Sequence, residues 1–208
     1  MRIAIAGGTG TVGAEAAREL EHRGHAVRIL SRDAPEYAVD LRDGTGLAAA
    51  LDGVDVVVNA ANGDRGVLVD GTARLLRAAE KAGVRHHVGI SIIGVDRVGI
   101  RYYKAKVAQE DLIRRSGVPW TIVRATQFHP YLAQTFARSA RFGIVPCLKF
   151  PVQPVDPREV GRVLAETAEA EPSLGITQFA GPAMRSGALT NPDARRGTVT
   201  FDQWLEAT

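Results

Sequence analysis

The residues best placed to do chemistry are a serine, a tyrosine and a lysine in the middle of the chain. Tyr102 and Lys106 lie four apart in YYKAKVAQEDLIRRSG, which reads as a helix, so they share a face. Ser91 stands eleven residues earlier, at the end of an apolar stretch that reads as a strand, Arg85–Ile90. Brought together, the three make a proton-transfer unit. The lysine ammonium is expected to lower the tyrosine pKa by its charge. The tyrosine could then protonate a carbonyl oxygen as hydride arrives, with Ser91 steadying that oxygen. A bare Y-x-x-x-K is common by chance on helices; its place after a strand, with Ser91 upstream, raises it above that. The neighbours Tyr103 and Lys104 are expected to point elsewhere.

The second chemical site is the N-terminal stretch MRIAIAGGTGTVG. It reads as a short apolar strand (Ile3–Ala6), a glycine turn and the start of a helix. Gly7, Gly10 and Gly13 have the spacing of a dinucleotide-binding loop. The first glycines permit a tight turn, Gly10 lets backbone approach a pyrophosphate, and Gly13 lets the helix pack closely on the sheet. Free N–H groups at the helix mouth, over Thr11, Val12 and Gly13, would face the phosphates, with Thr9 and Thr11 adding hydroxyl donors. A glycine triplet alone is weak evidence; the strand before it and the helix after it supply the context.

The elements that must position these groups follow in order. A helix is expected from about Thr11 to Arg23, then a strand Ala26–Leu30 ending in Ser31 and Arg32. A cation there accommodates a 2′-phosphate, so NADP(H) is favoured, while Asp33 next door keeps NAD(H) open. A third strand is expected at Tyr37–Val39. Asp40 at its tip could accept from an adenine amino group with Leu41 against the ring; a helix cap or loop aspartate is the equal alternative. A short helix Leu47–Leu51 leads to the strand Val54–Val58, an apolar run suited to a central parallel strand. Small residues after it, Ala60 and Ala61, would let backbone lie against a cofactor; simple tight packing is the equal alternative. A helix Leu68–Ala82 precedes the Ser91 strand. Val107, Leu112 and Ile113 are expected to anchor the apolar side of the Tyr102 helix. A sixth strand, Pro119–Arg124, runs into Ala125, Thr126, Gln127 and Phe128, beside the place of a nicotinamide. Gln127, Phe128 and His129 could line the substrate side; His129 could serve as an acid or base, but a loop histidine more often only touches solvent. His86 and His87 point to opposite sides of a strand and are read as partly buried or surface residues, with no convincing metal-ligand set. A helix Leu132–Arg141, an extended stretch Gly143–Gln153, an Asp156-capped helix with Pro157 at its first position, a late strand Ile176–Gly181 and a short amphipathic helix docked by Trp204 and Leu205 complete the chain.

The 208 residues suit a single domain, 1–208, in which 125–208 contribute a small substrate lobe. Net charge is +3 without a long basic run, so no nucleic-acid partner is expected. No apolar run reaches membrane-spanning length, and the chain enters a core strand at once, so neither a membrane nor a signal peptide is expected. The lone cysteine, Cys147, points to a reducing cytoplasm. The expected fold is α/β: a Rossmann-type, doubly wound parallel sheet with strand order 3-2-1-4-5-6, as a monomer or homodimer.

Taken together, AIAGGTGTVG, ILSRD, VVVNAAN, VDGTARLLRAAEKAGVRHHVGISIIGVDRV, YYKAKVAQEDLIRRSGVPWTIVRATQFH, QPVDPREVG and GALTNPDARRGTVTFDQWL resemble the NmrA-like branch of the atypical short-chain dehydrogenase/reductases. The resemblance covers most of the chain. It implies a cofactor cleft lined by Gly7, Thr9, Gly10, Thr11, Val12, Gly13, Ser31, Arg32, Asp40, Leu41, Ala60, Ala61, Ser91, Lys106 and Ala125–Phe128. It implies an NADP-dependent reductase of a small carbonyl, enone or quinone. Many such relatives keep the lysine and lose the tyrosine, which leaves a second reading: a redox sensor that binds NADP(H) without turnover. Sugar-nucleotide epimerisation is a third reading, disfavoured by a small C-terminal part. Against the family pattern, Asp33–Tyr37, Asn62–Gly66 and Ala183–Arg185 are short.

Overall fold

The computed structural model describes residues 1–141, 153–181, 190–191 and 193–207. Most of the expected extended stretch Gly143–Gln153, with Cys147, and the short segment Ala183–Arg185 lie outside the described residues.

Alternating apolar runs and amphipathic segments build a sheet with helices on both faces. The strands are β1 (Arg2–Ala6), β2 (Ala26–Leu30), β3 (Val56–Asn59), β4 (His86–Ile92), β5 (Trp120–Ala125), β6 (Ile176–Ala180) and β7 (Arg195–Arg196). All pairings are parallel, in the order β2-β1-β3-β4-β5-β6-β7. The expected third strand, Tyr37–Val39, is the correction. Only one bridge, Ser31 to Ala38, continues the sheet beyond β2. The chain then turns at Asp40, whose carboxylate accepts from the Arg42 backbone N–H at 2.8 Å. Tyr37 instead packs under the Arg28 guanidinium, 4.9 Å from its ring centre. With that strand shrunk to a bridge, the order from β2 to β5 is the expected one, and the sheet runs on past it through β6 and the unexpected two-residue β7.

Helices α1 (Thr11–His22) and α6 (Pro157–Glu169) cover one face. Val12, Ala16 and Leu20 of α1 meet Val160, Val163 and Leu164 of α6 over Ile3, Ile5, Val58, Val88 and Val123. The Asp156 carboxylate caps α6 by accepting from the Arg158 N–H at 2.8 Å. On the other face lie α2 (Leu47–Leu51), α3 (Thr72–Lys81) and α4 (Arg101–Arg114). There Leu47, Leu51, Leu75 and Ala79 pack on Ala4, Ala6 and Val57. Each large aliphatic side chain so buried contributes about 1.5–3 kcal/mol relative to exposure.

Several boundaries differ from the sequence expectation. The helix expected from Leu68 opens with a wider π-helical turn, Gly66–Gly71, before α3. Strand β4 runs on to Ile92, so Ser91 lies within the strand rather than after it. Helix α5 (His129–Ala140) starts three residues early, and α7 (Phe201–Glu206) closes the described chain with a Thr200–Gln203 capping box.

Candidate functional site

The sheet order reverses between β1 and β3, which opens a crevice at the C-terminal ends of these strands. The glycine loop stands at its mouth. Gly7 has φ +76°, and a Cβ there would sit 2.7 Å from Ala61 Cα, against the chain leaving β3. A Cβ on Gly13 would fall on the Gly7 carbonyl oxygen, so that glycine sets how closely α1 meets the turn. Gly10 differs: a Cβ there would meet only the Gly7 oxygen, at 3.2 Å. Its outer side is open, which is the space a phosphate needs. Gly10 is also the N-cap of α1 and offers no side-chain cap. The first-turn N–H groups of Thr11, Val12 and Gly13 have no acceptor one turn back in the helix and carry the positive end of its dipole.

The other cofactor candidates ring this mouth. Thr9, Thr11 and Arg32 are exposed, and Val12 is buried beneath. The Ser31 hydroxyl at the β2 tip is buried without a hydrogen-bond partner among the described residues. Asp33 is exposed. Asp40 and Leu41 are half-buried, with the Asp40 carboxylate engaged in its own turn. Ala60 is half-buried and Ala61 buried where the chain leaves β3. Beyond β5, Ala125 and Thr126 are buried; the Thr126 hydroxyl accepts from the Gly181 N–H at 3.2 Å. Gln127 and Phe128 are half-buried, and the Gln127 carbonyl accepts from Val155 N–H at 2.8 Å. Two buried orphan hydroxyls, on Ser31 and Ser91, and the open cradle at Gly10 fit an extended ligand along the strand tips.

Ser91, Tyr102 and Lys106 are disposed as follows. Ser91 is 4% exposed on β4, and its hydroxyl has no hydrogen-bond partner among the described residues. Lys106 is 4% exposed; its Nζ donates to the Ile90 carbonyl at 3.1 Å and to Gln109 Oε1 at 3.0 Å. Burial lowers its pKa to about 8, opposed by the nearby Glu110 charge. The Tyr102 hydroxyl reaches across the crevice and donates to Asn62 Oδ1 at 2.9 Å. Its pKa is not lowered, contrary to the sequence expectation. Burial, with Tyr103 and Tyr131 alongside, pushes it up to about 12. The ammonium one turn away is spent on Ile90 and Gln109. Lys104 is exposed. Tyr103 is buried under Val95, raised by burial and partly offset by Gln127, so it points into the fold near the site.

The histidines depart further from expectation. His86 and His87 are both buried, not at the surface. His86 Nε2 pairs with Thr121 Oγ1 at 3.0 Å, whereas neither His87 ring nitrogen has a partner among the described residues. Burial takes His87 down to about 3. His129 is fully buried, with its ring edge-on to Phe201 and Trp204 of α7, which stack on each other. Burial lowers its pKa too. Trp204 thus docks α7 together with Phe201, while Leu205 stays 48% exposed. Among the described residues, no group of three or more His, Cys, Asp or Glu could hold a metal ion.

Sequence reasoning missed the polar groups that hold the lysine and tyrosine. Asn62 was visible only as a polar residue after two alanines. Gln109 Nε2 donates to Thr72 Oγ1 at 2.9 Å, and Asn59 Nδ2 donates to the same oxygen at 3.1 Å. Beside them Arg124 of β5 grips Glu110 through two hydrogen bonds, at 2.8 and 2.7 Å. The buried stripe of α4 is therefore Tyr103, Lys106, Gln109, Glu110 and Ile113, while Val107 and Leu112 are only half-buried.

Comparison with known proteins fits this geometry. The model of a family described as NAD(P)H-binding matches residues 7–136. A (4-alkanoyl-5-oxo-2,5-dihydrofuran-3-yl)methyl phosphate reductase of Streptomyces griseus is 33% identical over 175 residues, 77% of this chain and 61% of its own. An NAD(P)H azoreductase of Xenophilus azovorans is 31% identical over 234 residues, 99% of this chain and 79% of its own. The chain thus spans about three fifths of the first relative and four fifths of the second. Among solved structures, the NADPH-dependent quinone oxidoreductase of Escherichia coli complexed with NADPH has the same fold. It superposes at a TM-score of 0.71 with 17% identity, over 86% of this chain and 69% of that one. No described helix is long and apolar enough to cross a membrane.

Proposed function

Because the chain belongs to this NAD(P)H-binding family, we propose that it is an NADP(H)-dependent reductase of a small carbonyl, enone or quinone. The observation that carries the reading is the open cradle at Gly10, set between two glycines that have no room for a side chain. The Thr11, Val12 and Gly13 N–H groups would hold the pyrophosphate. Arg32, exposed beside the orphan Ser31 hydroxyl, would pair with a 2′-phosphate. Asp40 and Leu41 would meet the adenine, Lys106 the nicotinamide ribose, and Ala125–Phe128 the nicotinamide. Two relatives named as reductases support the reaction class.

When bound, the cofactor supplies or accepts the hydride. The chain's own residues manage the proton. The Ser91 hydroxyl, which has no partner among the described residues, donates to the substrate oxygen and fixes it. The Tyr102 hydroxyl supplies the proton to that oxygen, which requires it to leave Asn62 Oδ1. The Lys106 ammonium, charged at neutral pH and held by Ile90 O and Gln109 Oε1, would keep its remaining N–H for the nicotinamide ribose, and the phenolate left on Tyr102 would be reprotonated from solvent. Residues 1–208 act as one domain, with 125–208 shaping the substrate side, in a reducing cytoplasm.

One observation favours a second reading, a non-catalytic NADP(H) sensor. The Tyr102 phenol is held by Asn62 and raised to about 12, the state of a structural rather than an activated tyrosine. NADPH with a panel of quinones, enones and aldehydes separates the two. A reductase consumes the nicotinamide absorbance on some member of the panel. Tight NADPH binding with no turnover on any of them selects the sensor.

A further inference from the structure

We infer that Gln109 is a positioning residue for Lys106, fixed in one orientation by a buried chain of hydrogen bonds that begins at the cofactor-side backbone of β3. This rests on the reading of Lys106 as a cofactor contact, but its geometry stands by itself. Asn59, Thr72, Gln109 and Lys106 are 0, 1, 2 and 4% exposed. The ammonium end fixes the order, because Lys106 Nζ can only donate and so takes Gln109 Oε1. The Ala61 N–H donates to Asn59 Oδ1 at 3.3 Å, so the Asn59 amide nitrogen must face Thr72. The Thr72 oxygen then accepts twice, from Asn59 Nδ2 and from Gln109 Nε2. That leaves Gln109 Oε1 for the ammonium. A flipped Gln109 would aim N–H groups at Lys106 Nζ, donor against donor, and leave the ammonium without its side-chain acceptor.

The consequence concerns where the charge points. An ammonium has three donors. Two are committed inside, to Ile90 O and Gln109 Oε1, and one remains for a ligand. Without Gln109 the buried ammonium keeps a single protein acceptor, Ile90 O, and becomes free to swing. The other charged group acting on it is Glu110 on the same helix, itself neutralised by Arg124 of β5 and Arg114 of α4. Glu110 cannot take over the role of Gln109 while those arginines hold it. The chain also ties the lysine to Ala61, whose backbone lies against the glycine turn.

The sequence contains four lysines, Lys81, Lys104, Lys106 and Lys149, so each can be followed separately by NMR of protein labelled at lysine 13Cε. Loss of Lys106→Met from the spectrum assigns the signal. In the wild type, Lys106 should titrate near 8. Gln109→Met should lower that midpoint by about one pH unit, because a hydrogen bond to a charged group is lost. Gln109→Glu should raise it by about as much. Thr72→Ser, which keeps the oxygen, should leave it in place, and Thr72→Val should lower it, which keeps the test available if a Gln109 variant fails to fold. NADPH affinity measured by fluorescence across the same pH range should follow the lysine midpoint in each variant. An unmoved Lys106 midpoint in Gln109→Met and Thr72→Val would overturn the inference. Failure of the wild type to bind NADPH would overturn the cofactor role instead, and the lysine titration would still decide the inference.

Discussion

Tyr102 and Lys106 share a helix face, yet they are held by different partners and should fail differently. Tyr102→Phe removes the hydroxyl that donates to Asn62 and should abolish turnover on quinone or aldehyde while changing NADPH affinity little. Lys106→Ala should weaken both, read as a rise in the NADPH dissociation constant together with a fall in kcat. Equal loss of binding in the two variants would count against this division. The types and spacing of Ser91, Tyr102 and Lys106 were legible because helical periodicity alone puts residues 102 and 106 on one face. The pairing of Tyr102 with Asn62 was not legible. It depends on the loop after β3 and the first turn of α4, 40 residues apart, meeting across the crevice. The predicted fall in the Tyr102 pKa failed for a related reason: charge can lower it only if the ammonium is free to face the phenol, and Gln109 and Ile90 hold it elsewhere.

Among the elements, the β1–α1 unit was read most fully, since each of its glycines answers a different steric demand. This gives a paired prediction. Gly13→Ala forces α1 away from the turn and should cost about 1–3 kcal/mol of stability, seen as a lower denaturation midpoint. Gly10→Ala should leave that midpoint nearly unchanged yet lose at least about tenfold in NADPH affinity, since its methyl would occupy the open side of the cradle. Helix α4 was read least well. Its apolar residues suggested an inward face of Val107, Leu112 and Ile113, but the sheet side takes up Lys106, Gln109 and Glu110 because each finds a buried partner. Periodicity registers hydrophobicity and cannot see a satisfied polar core. Strand β4 carries a pH prediction. His87 has a folded pKa of about 3 against 6.5 for the free side chain, so the unfolded chain binds the extra proton first. Stability should therefore be level above pH 6.5 and fall below it, by about 2 kcal/mol at pH 5. Urea midpoints at the two pH values measure this, and His87→Leu should remove the His87 share of the difference, leaving what the buried His86 and His129 add.

Across the whole molecule, the doubly wound sheet followed from the alternation of apolar runs and amphipathic segments, and only its outer rim was misread. The Tyr37–Val39 stretch lacks a partner beyond Ser31, so local β-propensity had nothing to pair with. The C-terminal packing was equally hidden: Phe201 and Trp204 close over His129, joining residues more than 70 apart in sequence. A histidine after a strand gave no sign of becoming the centre of an aromatic cluster. All of this architecture serves one claim, that the mouth of α1 and the tip of β2 together bind a dinucleotide bearing a 2′-phosphate. Calorimetric titration of the protein and of Arg32→Ala with NADPH and with NADH tests it most directly. The wild type should bind NADPH more tightly than NADH, and Arg32→Ala should lose about 10–100-fold for NADPH alone, the worth of one charge-assisted phosphate contact. Equal affinity for the two cofactors, unchanged by Arg32→Ala, would contradict the claim for the 2′-phosphate, and no binding of either would contradict the site itself.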